Sequence, residues 1–482
     1  VRWTPQILAD AAGGRLLRVG DRPIATAFID SRSPRTDALF VPIMAARDGH
    51  DFIVAAAQGG ASATLLGAGR TLPSGADQLT VVEVDDTLVG LSSLGRHARE
   101  QITGPVVGIT GSNGKTTTRA FVEAALATGF EPVTCTRGNL NNHLGVPLTL
   151  VDEPHAPAAA VLELGMSAAG ENDHLAGIVR PNVHVITSIA LEHLEFMGSL
   201  ANIAAAEAEP IAHLQPGSDG RPPALVVPAD EPSLRAHLPG PKTGVRVLRV
   251  GPVGGADDDL LDVAITEVEV GVRTRAVLRL RSGERLVVQL ASFGAHNARN
   301  AASAVAVAVH LGLPLAPLVD ALEAVAPVGD RGRLQQLGPH LLIADCYNAN
   351  PGSMIAALDS LARLRATRRG PLLAVLGDML ELGPTQAQLH REIGAHAARL
   401  GLDGVLGFGP LAKEIAAAAD AAGVVAGHVS GVSGVSGEPG SVEAAVAWVR
   451  ARLADCGADA GAVLFKGSRG MRLERVVAAL HD

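Results

Sequence analysis

The chain is poor in cysteine, lysine and aromatic residues, and each scarcity removes a class of protein. Its three cysteines, Cys135, Cys346 and Cys456, lie far apart in 482 residues with no paired spacing. That excludes a disulfide framework and a cysteine-based zinc site, and fits a reducing, cytoplasmic setting. Aromatic residues make up 2% of the chain, the net charge is −9, and no basic block occurs. Neither a stacking platform nor an electrostatic footprint for nucleic acid is therefore present. The opening stretch "VRWTPQILAD" lacks the apolar core of a signal peptide. The run "AASAVAVAVHLGLPLAPLV" approaches membrane length, but His310 and two prolines interrupt it, which favours a buried helix and turn. With 47% hydrophobic and 18% charged residues the chain can bury several cores, and its length suits about three domains.

The lysine scarcity is informative in another way. Only Lys115, Lys242, Lys413 and Lys466 occur, and the other 36 basic residues are arginine. Where lysine persists against that bias, a compact ammonium suits a site better than a planar guanidinium. Lys115 and Lys466 both stand in glycine-bounded stretches, "GSNGKT" and "FKGSRG". For Lys466 a solvated loop charge is the competing reading.

"GITGSNGKTTTR" (108–119) follows the apolar, β-branched "PVVGIT" and leads into "KTTTRAFVEAALATG", whose helical spacing predicts a helix closed at Gly129. Strand, glycine-rich turn and helix start make an anion site, because backbone N–H groups point into the turn and the helix N-terminus adds positive partial charge. Lys115 adds a point charge, and the Thr116 hydroxyl can reach Mg²⁺. The standard phosphate-loop pattern places a glycine where this chain has Ile109, so an ordinary glycine-rich turn is the alternative.

Periodicity predicts an α/β protein of three parts. Residues 1–103 carry short strand signals, "LFVPI" and "ATLLG", and read as a small α/β domain. Residues 104–327 open with the phosphate loop and add strands at 158–164, 182–189 and 224–230, a hairpin around Ser282-Gly283, and a helix closed near Gly312. A hinge is expected at 327–335. In residues 328–482, "LLIADCYN", "PLLAVLGD", "GVLGFG" and "AVLFKGS" alternate with alanine-rich helices, the rhythm of a parallel, Rossmann-like sheet. An exposed loop is expected at 430–441.

Several constellations carry chemistry. Glu163 ends the 158–164 strand, where a carboxylate beside a phosphate loop can hold Mg²⁺. His193 follows the next strand; a packed or surface histidine is the bland reading. Asn139, Asn141 and Asn142 form a loop that could be no more than a turn. "DCYNANPGSM" sets Tyr347, the only tyrosine, among Asp345, Asn348 and Asn350, after a strand; a polar turn with a helix cap is the alternative.

Taken together, "GITGSNGKTTT", "NLNNHLGVPLTL", "HLEFMGS", "HNARNA", "DCYNANPGSM", "LGDMLELG" with His390 downstream, and "KGSRGM" resemble the Mur ligases over nearly the whole chain. The glycine-rich loop is shared with folylpolyglutamate synthases, whereas "YNANPGSM" with "GDMLELG" is similar to the family's D-alanyl-D-alanine-adding branch. The resemblance implies a UDP-binding first domain, a central ATPase domain and a Rossmann-like third domain. It also implies a monomeric amide ligase that joins D-alanyl-D-alanine to UDP-N-acetylmuramoyl-tripeptide through an acyl phosphate, using ATP and Mg²⁺. Residue by residue, it implies that Gly111, Ser112, Asn113, Gly114, Lys115, Thr116 and Thr117 hold the phosphates. Thr116 and Glu163 are expected on the first Mg²⁺ and His193 on the second. Asn297 and Asn300 are expected near adenine, Asp345 on the ribose, and Arg333 on the phosphates. Ser31, Arg32, Asn141 and Asn142 are expected to face the UDP-sugar, and Tyr347, Asn348 and Asn350 the dipeptide or the acceptor.

Two departures stand out. "MAARDGHDF" is one residue shorter than the family's usual loop. Glu207 stands where the family usually has a carbamoylated lysine that bridges the second Mg²⁺; glutamate keeps the sign of that charge and is expected to supply the anion, the alternatives being a solvated helix residue with the metal held otherwise, or Glu209 in its place. A related ligase of altered specificity and a catalytically silent nucleotide-binding homologue remain the competing readings.

Overall fold

Short apolar strands that are buried on both faces demand cover from helices on both sides, and this chain meets that demand three times. The structure, a computed structural model, describes residues 3–255, 258–430, 441–454 and 459–482. The first sheet has five strands, in spatial order Arg15–Arg18, Thr80–Val84, Ala61–Gly67, Ala38–Phe40 and Thr26–Phe28. The second has nine, between Val106 and Leu290, and the third has six, between Arg333 and Lys466. The fold is mixed α/β with mostly parallel sheets.

The nine-stranded sheet positions the site. Its Val106–Thr110 strand lies between Ala159–Glu163 and Val183–Ile186 and runs parallel to both. All three are buried throughout. From the first of them the chain passes through the Lys115–Leu126 helix to the edge strand Val133–Cys135, then returns to fill the gap with Ala159–Glu163. The strand order therefore reverses beside Val106–Thr110, and in open α/β sheets ligands settle outside the carboxyl ends of strands at such a reversal. Lys115–Leu126 shares a core with the alanine-rich helix His296–Leu311 through Phe121, Val122, Ala301 and Val305. That second helix ends on Gly312 in the left-handed conformation, with φ of 69°.

The third sheet pairs Arg333–Leu337 antiparallel with His340–Asp345, and its remaining pairings are parallel. The hinge expected at 327–335 is thus shorter, since residues from Arg333 onward already belong to a strand. The helix expected to close at Gly129 ends at Leu126 instead. Thr128 Oγ1 donates to the Ala125 carbonyl at 2.7 Å and Phe130 N–H to the Leu126 carbonyl at 2.9 Å, which satisfies the terminal acceptors early. The hairpin at Ser282-Gly283 forms as Thr274–Leu280 and Arg285–Leu290. Most of the loop expected at 430–441, and Cys456, fall outside the described residues. Among the described residues, no helix is long and apolar enough to cross a membrane.

A buried histidine lies in the middle of the central strands. His184 is fully buried, and its Nε2 lies 3.0 Å from Thr110 Oγ1. The Thr110 hydrogen goes to the Glu207 carbonyl at 2.9 Å, so the imidazole must donate from Nε2. Its Nδ1 has no hydrogen-bond partner among the described residues. Burial pushes the imidazole down to about 3. Between that value and the ordinary histidine value the unfolded chain binds a proton that the folded chain refuses, so stability contributed by neutral His184 is lost as pH falls. Buried carboxylates act in the opposite direction, so the test is a difference. The stability gap between the unaltered protein and His184→Gln should narrow by about 1.4 kcal/mol between pH 7.5 and pH 5.5. Urea midpoints of the two proteins at those two values provide the check.

Candidate active site

The glycine-rich turn folds as it does because side chains would obstruct it. Gly111 has φ of 122°, and a Cβ there would stand 2.2 Å from Thr187 Oγ1. Gly114 has φ of 86°, and a Cβ there would stand 2.6 Å from Asn300 Oδ1. Hydrogen bonds sew the turn to the segment after the Val183–Ile186 strand. Ser112 Oγ donates to the Ala190 carbonyl at 3.1 Å and accepts the Ala190 N–H at 2.8 Å. Asn113 N–H donates to Ser188 Oγ at 3.0 Å, and Thr187 Oγ1 donates to the Asn113 carbonyl at 2.6 Å.

A cavity of about 980 Å³ opens over this turn. Ser112, Asn113, Gly114, Lys115, Thr116 and Thr117 line it, as do Glu163 and His193. Asn141 and Asn142 line it from the loop after Cys135, Asn297 and Asn300 from the Ala-rich helix, and Asp345, Tyr347 and Asn348 from the third sheet. The central and C-terminal parts of the chain therefore build one cavity, and they touch directly. Asn113 and Asn350 exchange side-chain hydrogen bonds at 3.3 and 2.9 Å. Asn350 also caps the Pro351–Arg363 helix through a capping box, so the polar-cap reading of this motif holds alongside its place at the junction.

Charge is concentrated around Lys115. Burial works against its ammonium, but Glu192, Glu207 and Glu163 outweigh burial and hold it above the usual lysine range. Burial raises the Glu163 carboxyl against the opposing pull of Arg119 and Lys115. Burial likewise raises Glu192, opposed by Lys115. Burial pushes Glu207 up to about 7, against Lys115 and with the help of Glu192.

Thr116 Oγ1 lies 3.1 Å from Glu163 Oε2, and Arg119 Nε donates to the other Glu163 oxygen at 3.0 Å. A hydroxyl and a carboxylate side by side on the cavity wall are the hard oxygen donors that Mg²⁺ takes. Among the described residues no three acidic, histidine or cysteine side chains converge as a metal cage.

Some expected residues stand elsewhere. Glu207 is buried behind the turn, outside the cavity lining. Its Oε2 accepts the Gly111 N–H at 2.8 Å and the Asn172 Nδ2 at 3.2 Å. The short glutamate stem is caught by a backbone donor before it reaches the cavity, so in this geometry it supports the turn and does not face a metal directly. Glu209 accepts the Gly170 and Asp173 N–H groups at 2.7 and 2.9 Å, at the start of the Glu171–Val179 helix, and is committed there. Arg333 is folded onto Asp330 at 2.7 Å and does not line the cavity. Arg331 lines it instead, stacked 3.6 Å from the Tyr347 ring centroid. Ser31 and Arg32 also lie outside the lining, and Arg32 is held by Asp30 at 2.8 Å.

Lys466 is not a solvated loop charge: it is 3% exposed and donates to Asp345 Oδ2 at 2.7 Å and to the Asn348 carbonyl at 3.0 Å. His193 has φ of 48°, and its Nδ1 lies 2.5 Å from Glu381 Oε2. Sequence reading missed Glu192, Arg331 and His296, all of which line the cavity. The signals were present in "LEHLE", "GDRGRL" and "AHNARNA", but spacing does not say which of two neighbouring polar residues turns inward.

The Mur ligase middle domain model matches residues 109–308, and the Mur ligase, glutamate ligase domain model matches residues 332–469. The UDP-N-acetylmuramoyl-tripeptide–D-alanyl-D-alanine ligase of Bacillus subtilis is 33% identical, over 93% of this chain and 91% of its own. That of Escherichia coli K12 is 32% identical, over 98% of this chain and 97% of its own. A crystal structure of MurF from Acinetobacter baumannii superposes with a TM-score of 0.84 at 30% identity, covering 99% of this chain and 98% of that one. The MurF ligase of Thermotoga maritima in complex with ADP superposes with a TM-score of 0.78 at 26% identity, covering 94% and 96%.

The two hinge arginines should separate in a binding measurement. Arg331→Ala should weaken binding of a nucleoside triphosphate by roughly tenfold, about 1.4 kcal/mol, because a cavity cation is lost. Arg333→Ala should change it by about twofold or less, because an exposed pair is lost. Calorimetric titration of both variants gives the comparison, and equal losses would contradict the assignment.

Proposed function

This chain belongs to the Mur ligase family, and we propose that it is the ATP-dependent ligase that joins D-alanyl-D-alanine to UDP-N-acetylmuramoyl-tripeptide in peptidoglycan precursor synthesis. The observation that carries the reading is the shared cavity, in which a phosphate loop from the central sheet faces Asp345, Tyr347 and Asn348 from the third. The separate residue ranges of the three sheets support a division into domains at 1–103, 104–327 and 328–482.

The chemistry must first bring two anions together, the γ-phosphate and the substrate carboxylate, and then expose the product to an amine. The work is chiefly positioning and charge neutralisation. Lys115 and the backbone N–H groups of Gly114 to Thr117 hold the β- and γ-phosphates, while the Ser112 and Asn113 N–H groups are spent on Ser188. Thr116 and Glu163 would hold one Mg²⁺, and His193 would serve a second. The metal, when bound, neutralises phosphate charge. Arg331 takes the phosphate-facing role expected of Arg333. Asp345, steadied by Lys466, meets the ribose, and Asn297 and Asn300 lie on the adenine side. Asn141 and Asn142 face the UDP-linked substrate, with Ser31 and Arg32 further along it. A carboxylate oxygen of the tripeptide bonds the γ-phosphorus as the bond to ADP breaks. The dipeptide amine then attacks the acyl carbon, the C–N bond forms, and phosphate leaves with the C–O electron pair. The protein works in the cytoplasm as a monomer.

Glu207 enters this scheme from behind. Its charge faces Lys115 and its carboxylate fixes the first N–H of the turn, which keeps the phosphate-facing donors aligned. A glutamate carboxyl at this position needs no carbon dioxide to form, so turnover should be the same in bicarbonate-free and bicarbonate-supplemented buffer. Stimulation by bicarbonate would contradict the assignment.

The central test is phosphate release from ATP, which should require both the UDP-linked tripeptide and D-alanyl-D-alanine. Release with another amino acid in place of the dipeptide would favour a ligase of altered specificity, and no release would favour a silent homologue. Lys115→Ala should lower the rate by roughly 10²–10³ through loss of a preorganised charge. Its circular dichroism should be unchanged, and a folded variant with substantial turnover would remove Lys115 from the phosphate site.

A further inference from the structure

The first sheet and the central region meet across an apolar face and a buried carboxylate. Ala27 and Leu39 of the first sheet share one core with Val146, Leu150 and Val151 of the Gly145–Val151 helix. Apolar contact of this kind holds two surfaces together but is non-directional, so it does not by itself fix how one lies along the other. Asp152, the residue after that helix, supplies direction. It is 9% exposed. Its Oδ1 accepts the Ala27 N–H at 3.2 Å and a hydrogen bond from Arg35 Nη1. Its Oδ2 accepts from Arg137 Nη1 at 3.0 Å.

These contacts join two loops. Ala27 lies on the edge strand Thr26–Phe28 of the first sheet, and Arg35 lies just before the next strand, Ala38–Phe40. Ser31 and Arg32 stand between them, so one carboxylate oxygen takes both ends of their loop. Arg137 opens the loop that carries Asn141 and Asn142 into the phosphate-loop cavity. Asn142 Oδ1 accepts the Leu144 and Gly145 N–H groups at 3.2 and 2.9 Å, which starts the helix that Asp152 follows. A carboxylate just past a helix C-terminus is disfavoured by the helix dipole, so its place here depends on the two guanidinium groups.

We propose that Asp152 is a positioning residue for the UDP-linked substrate: it fixes the loop of Ser31 and Arg32 against the loop of Asn141 and Asn142, so that a substrate held by the first keeps its far end over the phosphate turn. The proposal rests on the ligase reading above, which puts both loops on that substrate, and adds the side chain that sets their separation. A ligand that touches two sites gains from the second only when the two are held at a matching distance. A reacting group displaced by about 1 Å also loses much of its rate. A ligand that touches only the first loop gains nothing from the link.

Steady-state phosphate release tests the idea with the UDP-linked tripeptide varied and ATP and D-alanyl-D-alanine saturating. Asp152→Asn keeps an acceptor for Ala27 and drops the charge that holds Arg35 and Arg137, whose side chains are 40% and 57% exposed and can turn to solvent. It should lower kcat/KM for the UDP-linked tripeptide by roughly ten- to a hundredfold. The KM values of ATP and the dipeptide should stay within about twofold, since they bind at distant sites. Asp152→Glu should recover part of the loss. UDP alone, as a competitor of the UDP-linked tripeptide, should inhibit the variant and the unaltered enzyme with constants within about twofold, because it does not span the two loops. Equal weakening of UDP and the UDP-linked tripeptide, or a matching rise in the ATP KM, would mean that Asp152 only maintains the fold. No change in any of these constants would make the contact idle. Either result overturns the proposal while the ligase reading stands. Should Asp152→Asn fail to fold, Arg35→Gln carries the same expected pattern at smaller size. Absence of dipeptide-dependent phosphate release by the unaltered enzyme would overturn the ligase reading, and this proposal with it.

Discussion

One buried ammonium organises the centre of this protein. Lys115 sits among Glu163, Glu192 and Glu207, and each of those carboxylates is buried at a cost that only nearby positive charge offsets. The three come from different parts of the central region: the end of a strand, the segment before the Leu194–Met197 turn, and the Leu200–Ala208 helix. Holding them around one lysine fixes where those parts lie relative to the glycine-rich turn. Arg119 adds a second positive charge on Glu163, at 3.0 Å.

Charged contacts also mark where the third sheet meets the second. Arg331 reaches back from the short linker to the cavity, and its electrostatic influence extends to Lys115 and Glu163. Lys466, the other retained cavity lysine, anchors Asp345 on the opposite wall. The neutral contacts are as specific as the charged ones. Asn113 is held in the turn through its backbone and offers its side chain to Asn350, which at the same time caps a helix. A displacement of the phosphate turn is thereby felt at the first turn of a helix in the other region. His193 and Glu381 make a parallel link, with His193 in a left-handed backbone conformation that non-glycine residues adopt only when their surroundings demand it.

The substitution at position 207 illustrates how local chemistry and geometry part company. A glutamate preserves the sign of charge that the family's modified lysine carries, and the sequence makes that reasoning available. Its reach is a different matter. Here the carboxylate meets the Gly111 N–H and the Asn172 amide within hydrogen-bonding distance and goes no further. Charge behind the turn is preserved, and the second wall of the cavity carries Glu192 beside His193 instead.

The sequence by itself determined the strands, the phosphate turn and the family, because these rest on local rules: apolar runs bounded by turns, glycines where φ must be positive, and short motifs in order along the chain. Thr116 with Glu163, and the Gly312 helix end, were legible for that reason. Only the tertiary structure decided which polar neighbour turns inward. Arg331 and Arg333 are two residues apart in the same glycine-rich stretch, and one stacks on Tyr347 while the other folds onto Asp330. Glu192 precedes His193 with no spacing signal of its own, and Lys466 looked like a loop charge until Asp345 was brought beside it. The reason is physical. Local pattern records the periodicity of the backbone, whereas the direction of a charged side chain depends on which partner folding brings beside it, near in sequence for Arg331 and Arg333 and far for Lys466.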